Sequence, residues 1–452
     1  MESQRDHILK GDLRVLLFKF SIPSIIGMVI SSLYNFIDTI FVGNGVGSIA
    51  IAALTIVFPI QIIMLAIGLM IGVGTASIIS RGLGRGDDEL AAKATGNAII
   101  INIFINALLM VLAYVFIDDI LKFFGASASV LPYARDYLSI IILGFIFFSF
   151  SLAGNHIIRA EGRPRAAIYP MVLGAVLNII LDPIFIFVLG MGVRGAAWAT
   201  IISQAATVVH IALYLVFGRS ILTPAKKMFR LDLKLIGNIL TIGFPSFLTA
   251  IIDSIIFLLF NRAILHYGND TYIAIAGITI RIVDLITKPI VGISYGFSTI
   301  AGFNYGAGLY RRVKSVLKEA ILWTTLIATS GFVATMFFPG YLFRIFTDNT
   351  QVINNGIVPM RIIVILLPAL GFLIVGGMLF QAIGKPVPAL IINFSRQVIF
   401  LIPAIFILPL LFNLNGVFLA WPVSDFLSSM VTLLFIFLEM KLLNKVIFKA
   451  GQ

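Results

Sequence analysis

Two aspartates stand inside long hydrophobic runs of the sequence, where an acidic side chain has few neighbours to balance it. Asp38 lies in the stretch SSLYNFIDTIFVG, and Asp182 lies in LNIILDPIFIF. A charged carboxylate at bilayer depth costs roughly 2.5–3.5 kcal/mol on insertion scales, so it persists when it is paired, protonated or bound to a cation. No Lys or Arg lies near the middle of either run. We therefore predict that a mobile proton or Na⁺ neutralises these acids, in preference to a structural ion pair.

Polar residues accompany both aspartates at helical spacing. Tyr34 and Asn35 precede Asp38 by four and three residues, and Asn178 precedes Asp182 by four, so each set shares a helix face. If the two carboxyl groups converge, they form a coupled pair. Such a pair takes up a proton or holds Na⁺ together with amide and carbonyl oxygens, because hard cations prefer oxygen ligands.

A second polar pair lies in the fourth hydrophobic run. Tyr137 and Asn155 are separated by five turns of an ideal helix, which predicts that they lie on one face. Together with the residues around the two aspartates, they predict a polar pocket of Asp, Asn and Tyr side chains in the N-terminal half of the chain.

The elements that position these residues are membrane-spanning helices. The chain has 452 residues, of which 60% are hydrophobic and only 12% charged, whereas a soluble protein has roughly a quarter charged residues. We predict an all-α integral membrane protein with twelve transmembrane helices in two pseudo-symmetric six-helix bundles around a central cleft. The runs long enough to span a bilayer are 14–43, 49–80, 91–117, 133–158, 166–190, 195–217, 234–262, 272–301, 318–343, 351–381, 387–411 and 416–440.

Basic residues concentrate in one set of alternate loops, which predicts the orientation in the membrane. The rich set includes Arg81, Arg85, Arg159, Arg163, Arg165, Arg311 and Arg312, and the opposite loops hold only Lys122, Arg194, Arg262 and Arg344. Both termini are therefore predicted to be cytoplasmic, in a multi-pass protein of the cell membrane. The net charge of +12 then faces the inner leaflet and indicates no nucleic-acid partner.

The chain repeats itself at one constant offset, which is the distance in sequence from Pro23 to Pro245. The motif IPS at 22–24 returns at this offset as FPS, GLGRG at 82–86 as NYGAG, and EGRP at 161–164 as IGKP. Each half then has six spans in the same orientation, a duplication typical of transporters. We predict an N-lobe at 1–217, a cytoplasmic linker at 218–233, and a C-lobe at 234–452 with a cytoplasmic tail.

Several motifs together resemble one known family. They are Pro23 early in the first span, YNFIDTIFVG at its end, the loop RAEGRP, LNIILDPIFIF in the fifth span and GAAWAT in the sixth. With the two six-span halves, they look like the multidrug and toxic compound extrusion (MATE) family, in its DinF-like branch. The resemblance covers essentially the whole chain.

The resemblance implies roles for particular residues. The aspartates that match Asp38 and Asp182 are implicated in proton or sodium coupling in this branch. By position, Asn178 and Thr200 match residues that surround the ion, which makes these four a possible Na⁺ site. Residues of the wider polar network and substrate cavity are matched by Tyr34, Tyr137 and Asn155, and Asn35 is placed with them as a neighbour of Asp38.

The C-terminal half keeps the repeat but loses both acids. At the same offset, Asp38 aligns with Phe260 and Asp182 with Ala404. This half has other charged residues in its spans, which we treat as candidates of second rank. The eighth span carries Arg281, Asp284 and Lys288 in one stripe, which predicts an internal salt-bridge ladder. The others are Asp253, with no cation in its own helix until its end, and a possible pair, Arg396 and Asp425.

These features predict a cation-coupled antiporter that exports amphipathic, often cationic drugs by alternating access, with Pro23 as the bend that moves. It is expected to work as a monomer among membrane lipids, coupled to H⁺ or Na⁺. No Cys and no phosphate-binding loop occur, so we expect no direct ATP coupling and predict no cofactor. The internal duplication favours transport over enzymatic activity, and we predict that the protein is not an enzyme. A lipid or lipid-linked oligosaccharide flippase of the related superfamily is the alternative, although it would need a strongly cationic cavity. An intramembrane aspartyl enzyme and a channel are less favoured.

Overall fold

The computed structural model is helical in the part of the chain that it describes. It gives the backbone of residues 2–46, 48–218, 220–222 and 226–450, and their side chains except at 2, 3, 33–36, 38–40, 43–46, 48–52, 226, 227, 449 and 450. Tyr34, Asn35 and Asp38 therefore lie outside the described side chains. The α-helices in these ranges are α1 Glu2–Lys10, α2 Leu13–Val46, α3 Ser48–Arg85, α4 Asp88–Val115, α5 Ile117–Phe123, α6 Leu131–Leu143, α7 Phe145–Ala160, α8 Pro164–Pro183, α9 Val193–Phe217, α10 Leu233–Tyr267, α11 Asp270–Gly306, α12 Tyr310–Phe337, α13 Pro339–Arg344, α14 Thr350–Val364, α15 Leu367–Ala382, α16 Pro386–Phe394 and α17 Ile402–Ala450.

Most of these helices are long and apolar enough to cross a membrane. Eight helical runs meet that condition singly, and two bent pairs raise the number to ten. Helix α11 has 37 residues, long enough to span, but four charged side chains lower its hydropathy. The run Pro386–Phe448 counts as one stretch of 63 residues, yet it includes two predicted spans and breaks at Asn413, where φ is 50°. With these two additions, the described helices account for the twelve predicted spans.

Two spans are sharply bent, and one bend corrects a prediction. Helices α6 and α7 meet at an angle of 52° around Gly144, and α14 and α15 meet at 43°. A Cβ on Gly144 would lie 2.8 Å from Ile201 Cγ1, so the close approach of α9 requires glycine at this bend. Tyr137 and Asn155 lie on opposite sides of the bend. The prediction that a straight helix places them on one face is therefore wrong.

Contacts divide the chain into two compact units. Unit 1 comprises Met1–Arg5 and Ile26–Ala250, and unit 2 comprises Asp6–Ile25 and Ile251–Gln452. Unit 1 has a hydrophobic core with buried side chains from α2 to α7 and from α9. A core in unit 2 is built from α11 and α13 to α15. These units follow contacts rather than the repeat, so the lobes at 1–217 and 234–452 stay a prediction.

Each unit has a close helix crossing at equivalent positions of the sequence repeat. In unit 1, a Cβ on Gly74 of α3 would lie 1.9 Å from the carbonyl oxygen of Ile239 on α10. In unit 2, a Cβ on Gly296 of α11 would lie 2.7 Å from Ser21 Oγ on α2. Gly74 and Gly296 are equivalent positions of the sequence repeat. The repeat is therefore kept in the packing of the helices as well as in the sequence.

Candidate functional site

The site begins with two buried polar residues one turn apart on α8. The amide Nδ2 of Asn178 donates a hydrogen bond to Asp182 Oδ1 at 3.3 Å. Asn178 is 1% exposed and Asp182 is fully buried. Both lie in a helical run, Pro164–Val188, that is apolar enough to span a membrane. The structure thus brings together the two predicted ion-site residues of this span.

The helix changes its geometry directly after these residues. Pro183 follows Asp182, and Ile184–Val188 form a π-helical turn. Proline lacks a backbone N–H and disrupts the regular ladder of an α-helix, and π-turns occur frequently at functional sites. The first turn of α9 packs closely here, because a Cβ on Gly195 would lie 2.8 Å from the Phe185 carbonyl oxygen. The irregular backbone is therefore held in place next to the buried carboxyl group.

This part of unit 1 contains buried side-chain oxygen atoms that could bind a proton or a cation. Asn178 Oδ1 is buried and receives no hydrogen bond from the described residues. Thr200, on the neighbouring helix α9, is also buried, with 8% of its surface exposed. A buried carbonyl oxygen without a donor loses its hydration, and it can regain a partner from Na⁺ or from a protonated carboxyl group. We call Asn178 and Asp182 the unit 1 polar site, and the place of Thr200 in it stays a prediction.

The two predicted network residues of the bent span have separate contacts. Gln61 of α3 donates to the hydroxyl of Tyr137 at 3.4 Å, and Tyr137 is buried. Asn155 donates instead to the Ala167 carbonyl oxygen at 2.6 Å, near the beginning of α8. Sequence reasoning missed Gln61, although a lone glutamine in the apolar run FPIQIIML was a usable signal.

Pro23, the predicted bend, lies inside the continuous helix α2. The change of unit within this helix comes immediately after it, between Ile25 and Ile26. Asp38 follows in the part of α2 that belongs to unit 1, the unit of Asp182. The two aspartates are therefore in one unit, although the side chain of Asp38 is outside the described part.

Unit 2 contains a charge cluster around a second π-turn, Ser395–Leu401. Arg396 Nε donates to Asp425 Oδ1 at 2.7 Å, which confirms the predicted pair. Gln397 donates to Asp253 Oδ1, and Ser424 donates to the Arg396 carbonyl oxygen. One guanidinium group thus lies near two carboxyl groups. The cluster gives Asp253 a neighbour that sequence reasoning did not find, since Gln397 is far from it in the chain.

The stripe on α11 is only partly the predicted ladder. Lys288 Nζ lies 2.9 Å from Asp284 Oδ1, whereas no ion pair joins Arg281 to a described residue. Arg281 and Asp284 are both exposed. The prediction that all three charges neutralise one another is therefore wrong for Arg281.

A buried acid in the loop RAEGRP was missed entirely. Glu161 is fully buried, and it accepts hydrogen bonds from the Ile221 backbone N–H and from the Tyr214 hydroxyl, the latter at 3.0 Å. Burial raises the pKa of Glu161 above its ordinary value, and the bonds from Ile221, Ser220 and Tyr214 oppose that shift. Glu161 therefore anchors residues 220–222. The sequence does not indicate this role, because the glycine and proline of the motif predict only a turn.

The donor set also bears on metals. Among the described residues, no group of three or more His, Cys, Asp or Glu side chains is placed to hold a metal ion. The unit 1 polar site has a carboxylate and an amide oxygen, the ligand types of Na⁺ rather than of transition metals.

Comparisons with known proteins agree over nearly the full chain. The family model described as MatE matches residues 23–184 and 245–407, so its two segments begin at equivalent prolines of the repeat. Multidrug export protein MepA of Staphylococcus aureus (strain MRSA252) is 28% identical over 421 residues, which cover 93% of this chain and 92% of that protein. The Staphylococcus saprophyticus protein of the same name is 26% identical over 438 residues, 96% of this chain and 95% of its own.

Solved structures give the same result for the fold. An outward-facing MATE family transporter of the MOP superfamily superimposes with a TM-score of 0.92 at 28% identity, covering 97% of this chain and 98% of that one. A MOP superfamily transporter from Pyrococcus furiosus Vc1 (DSM3638) has a TM-score of 0.91 at 28% identity and the same coverage. The predicted all-α architecture of twelve transmembrane helices in two pseudo-symmetric six-helix bundles is confirmed. The chain belongs to the MatE family, whose members are membrane transporters and not enzymes.

Proposed function

We propose that this protein is a cation-coupled antiporter that exports amphipathic, often cationic compounds across the cell membrane. Family membership and the relatives named as multidrug export proteins support multidrug efflux. The concentration of basic residues in alternate loops supports an orientation with both termini in the cytoplasm.

The observation that carries the proposal is the unit 1 polar site. Asp182 is fully buried in a membrane span, it accepts a hydrogen bond from the neutral amide of Asn178, and the other atom of that amide, Oδ1, has no described donor. A proton on the carboxyl group, or Na⁺ among these oxygens, reduces the cost of burial at this position. Asp38 belongs to the same unit and would share the ion with Asp182.

The coupling follows from this neutralisation. When the site is open to the outside, H⁺ or Na⁺ neutralises the Asp38 and Asp182 pair. The part of α2 that begins near Pro23 then shifts, the affinity for the drug falls, and the drug leaves. Return to the inward state releases the ion to the cytoplasm. Export of a monovalent cation against about 100 mV costs about 2.3 kcal/mol, and the entry of one H⁺ or Na⁺ offsets it electrically.

Transport by reconstituted protein tests the proposal. Proteoliposomes with an imposed pH gradient, with and without Na⁺, should accumulate or release a fluorescent organic cation in a gradient-dependent way. Asp182→Asn and Asp38→Asn should abolish coupled transport, while both variants remain folded and inserted. Asp119→Asn is the matched control, because Asp119 is an exposed acid of unit 1 outside the site.

Two results would contradict the proposal. Gradient-driven transport by Asp182→Asn at the wild-type rate would show that coupling does not use this carboxyl group. Equal rates for the wild type with and without an ion gradient would show that no cation drives export. Full transport under a pH gradient without Na⁺ would instead assign the coupling to protons.

A further inference from the structure

A charged face runs along α11 on the side away from the core of unit 2. Ile275, Thr279 and Ile282 are buried at i, i+4 and i+7. A second stripe at the same spacing begins two residues later, which is roughly 200° around the helix. This stripe is the α11 charged face, and it consists of Gly277, Arg281, Asp284 and Lys288.

The depth of Arg281 excludes lipid as its surroundings. At 1.5 Å per residue, Arg281 lies about 16 Å along the helix from Asp270, well inside a hydrocarbon core about 30 Å thick. It is nevertheless exposed. Arginine is costly in contact with acyl chains at that depth and almost always faces a bundle interior or a water-filled cavity. The α11 charged face is therefore open to water.

The guanidinium of Arg281 has no described partner, and the helix surface beside it is open. Lys288 is occupied by Asp284 at 2.9 Å, whereas no described residue forms a hydrogen bond or ion pair with the guanidinium of Arg281. One turn away, a Cβ added to Gly277 would meet no heavy atom within 4 Å. A cation with five N–H donors thus adjoins an open surface of backbone, against which a flat ring can lie.

The repeat shows that the fold does not require these charges. The positions of α3 equivalent to Arg281, Asp284 and Lys288 are Pro59, Ile62 and Ala66, all apolar. A charged face present in one half only, at a costly depth, calls for a role in binding rather than in packing.

We infer that Arg281 binds the carboxylate of amphipathic substrates whose aromatic ring system lies against Gly277. The guanidinium fork matches a carboxylate in two parallel hydrogen bonds, which a lysine ammonium cannot form. The transported class then includes zwitterions and organic anions as well as cations. This inference rests on the proposed export function and adds a subsite for the anionic group of the substrate.

A pair of dyes that differ in one group provides the test. Rhodamine B carries a free carboxylate, and its ethyl ester lacks that charge but keeps the same chromophore. Binding is measured by fluorescence with the full chain in nanodiscs of zwitterionic lipid, and export is measured in proteoliposomes. Arg281→Gln should weaken binding of rhodamine B about tenfold or more, the effect of losing a charge-assisted hydrogen bond, and should change binding of the ester less than twofold.

Control variants separate the site from general damage. Arg311→Gln removes an exposed arginine at the beginning of α12 and should leave both dyes unchanged. Gly277→Leu should weaken both dyes, because it fills the open surface. Melting curves of the purified variants show whether each is folded.

The outcomes distinguish this inference from the proposed function. If the wild type exports both dyes and Arg281→Gln affects them equally, or affects neither, the subsite is refuted while export stands. If the wild type exports neither dye, nor any organic cation, the proposed function fails. Selective loss of rhodamine B by a folded Arg281→Gln variant supports the subsite.

Discussion

The close crossing of α3 and α10 makes a single methyl group a severe perturbation. A Cβ on Gly243 would lie 1.8 Å from the Met70 carbonyl oxygen and 2.6 Å from its carbonyl carbon. Both atoms are backbone inside a helix, so no side-chain rotation relieves the clash, and the two helices must move apart. Overpacking of this kind costs about 1–3 kcal/mol. Gly243→Ala should therefore lower the stability of unit 1 by at least that amount.

The same helix supplies a matched control. Gly237 lies six residues earlier on α10, and a Cβ there would meet no heavy atom within 4 Å. Alanine is favoured over glycine in a helix by about 1 kcal/mol, so Gly237→Ala should be neutral or stabilising. The propensity gain is common to both substitutions, so the two variants should differ by the cost of the clash, about 1–3 kcal/mol.

Thermal melting in detergent measures this difference in stability, with the fraction of protein that remains monodisperse as the readout. Gly243→Ala should melt several degrees below Gly237→Ala. If Gly243→Ala melts at or above the control, the helices do not approach as closely as the structure has them, and the reasoning is wrong.

Three further perturbations follow from described contacts. Because burial raises the pKa of Glu161 above its ordinary value of 4.5, the folded state binds its proton more tightly than the unfolded chain does. This stabilisation is present at low pH and is lost as pH rises from the ordinary pKa through the folded one. The melting temperature should therefore fall as pH rises above 4.5, and Glu161→Gln should flatten that fall. Lys385→Ala should lower the free energy of unfolding by about 1–3 kcal/mol, because it leaves the carboxylate of Glu439, whose side chain is 4% exposed, without its partner. The loss is limited because Lys385 itself is 35% exposed and partly screened by water. Lys445→Ala is the exposed control, and equal melting temperatures of the two variants would contradict the claim. Gly296→Ala should destabilise less than the α10 substitution, because the first atom it meets is a serine hydroxyl that can rotate; an equal or larger loss of melting temperature would count against this account.

Much of the fold was accessible from the sequence because membranes restrict it strongly. Long apolar runs must be helices, since no other open structure satisfies its backbone in lipid. The constant offset between repeated motifs predicted the duplication, and the two segments of the family match begin at Pro23 and Pro245, which are equivalent at that offset. The bend at Gly144 was missed because its sequence mark is a single glycine, and the contact that requires glycine there comes from Ile201 on another helix. The DinF-like branch stays a prediction.

The candidate site was accessible only where its residues share one helix. Asn178 and Asp182 are four residues apart, and the helical repeat sufficed to place them together. Contacts across the fold were not predictable in the same way. Gln397 is 144 residues from its partner Asp253, and Glu161 is 60 residues from Ile221. Such pairs depend on how whole helices pack. The sequence therefore shows that Asp253 and Glu161 are acids, but it does not show which residues they contact.

The two halves differ in a way that separates what the fold needs from what transport needs. Positions that hold the helices together persist from one half to the other, as the equivalent residues Gly74 and Gly296 do. The charges within the spans do not persist in the same way, since Asp38, Asp182 and Arg281 each have an uncharged equivalent in the other half. The equivalent of Asp38 is Phe260, which is fully buried and packs edge-on against Phe418 with ring centroids 6.0 Å apart. Because an equivalent position can serve as ordinary core in one half, the fold does not demand the acid in the other. The charges present in one half alone are therefore where ion and substrate recognition should be sought.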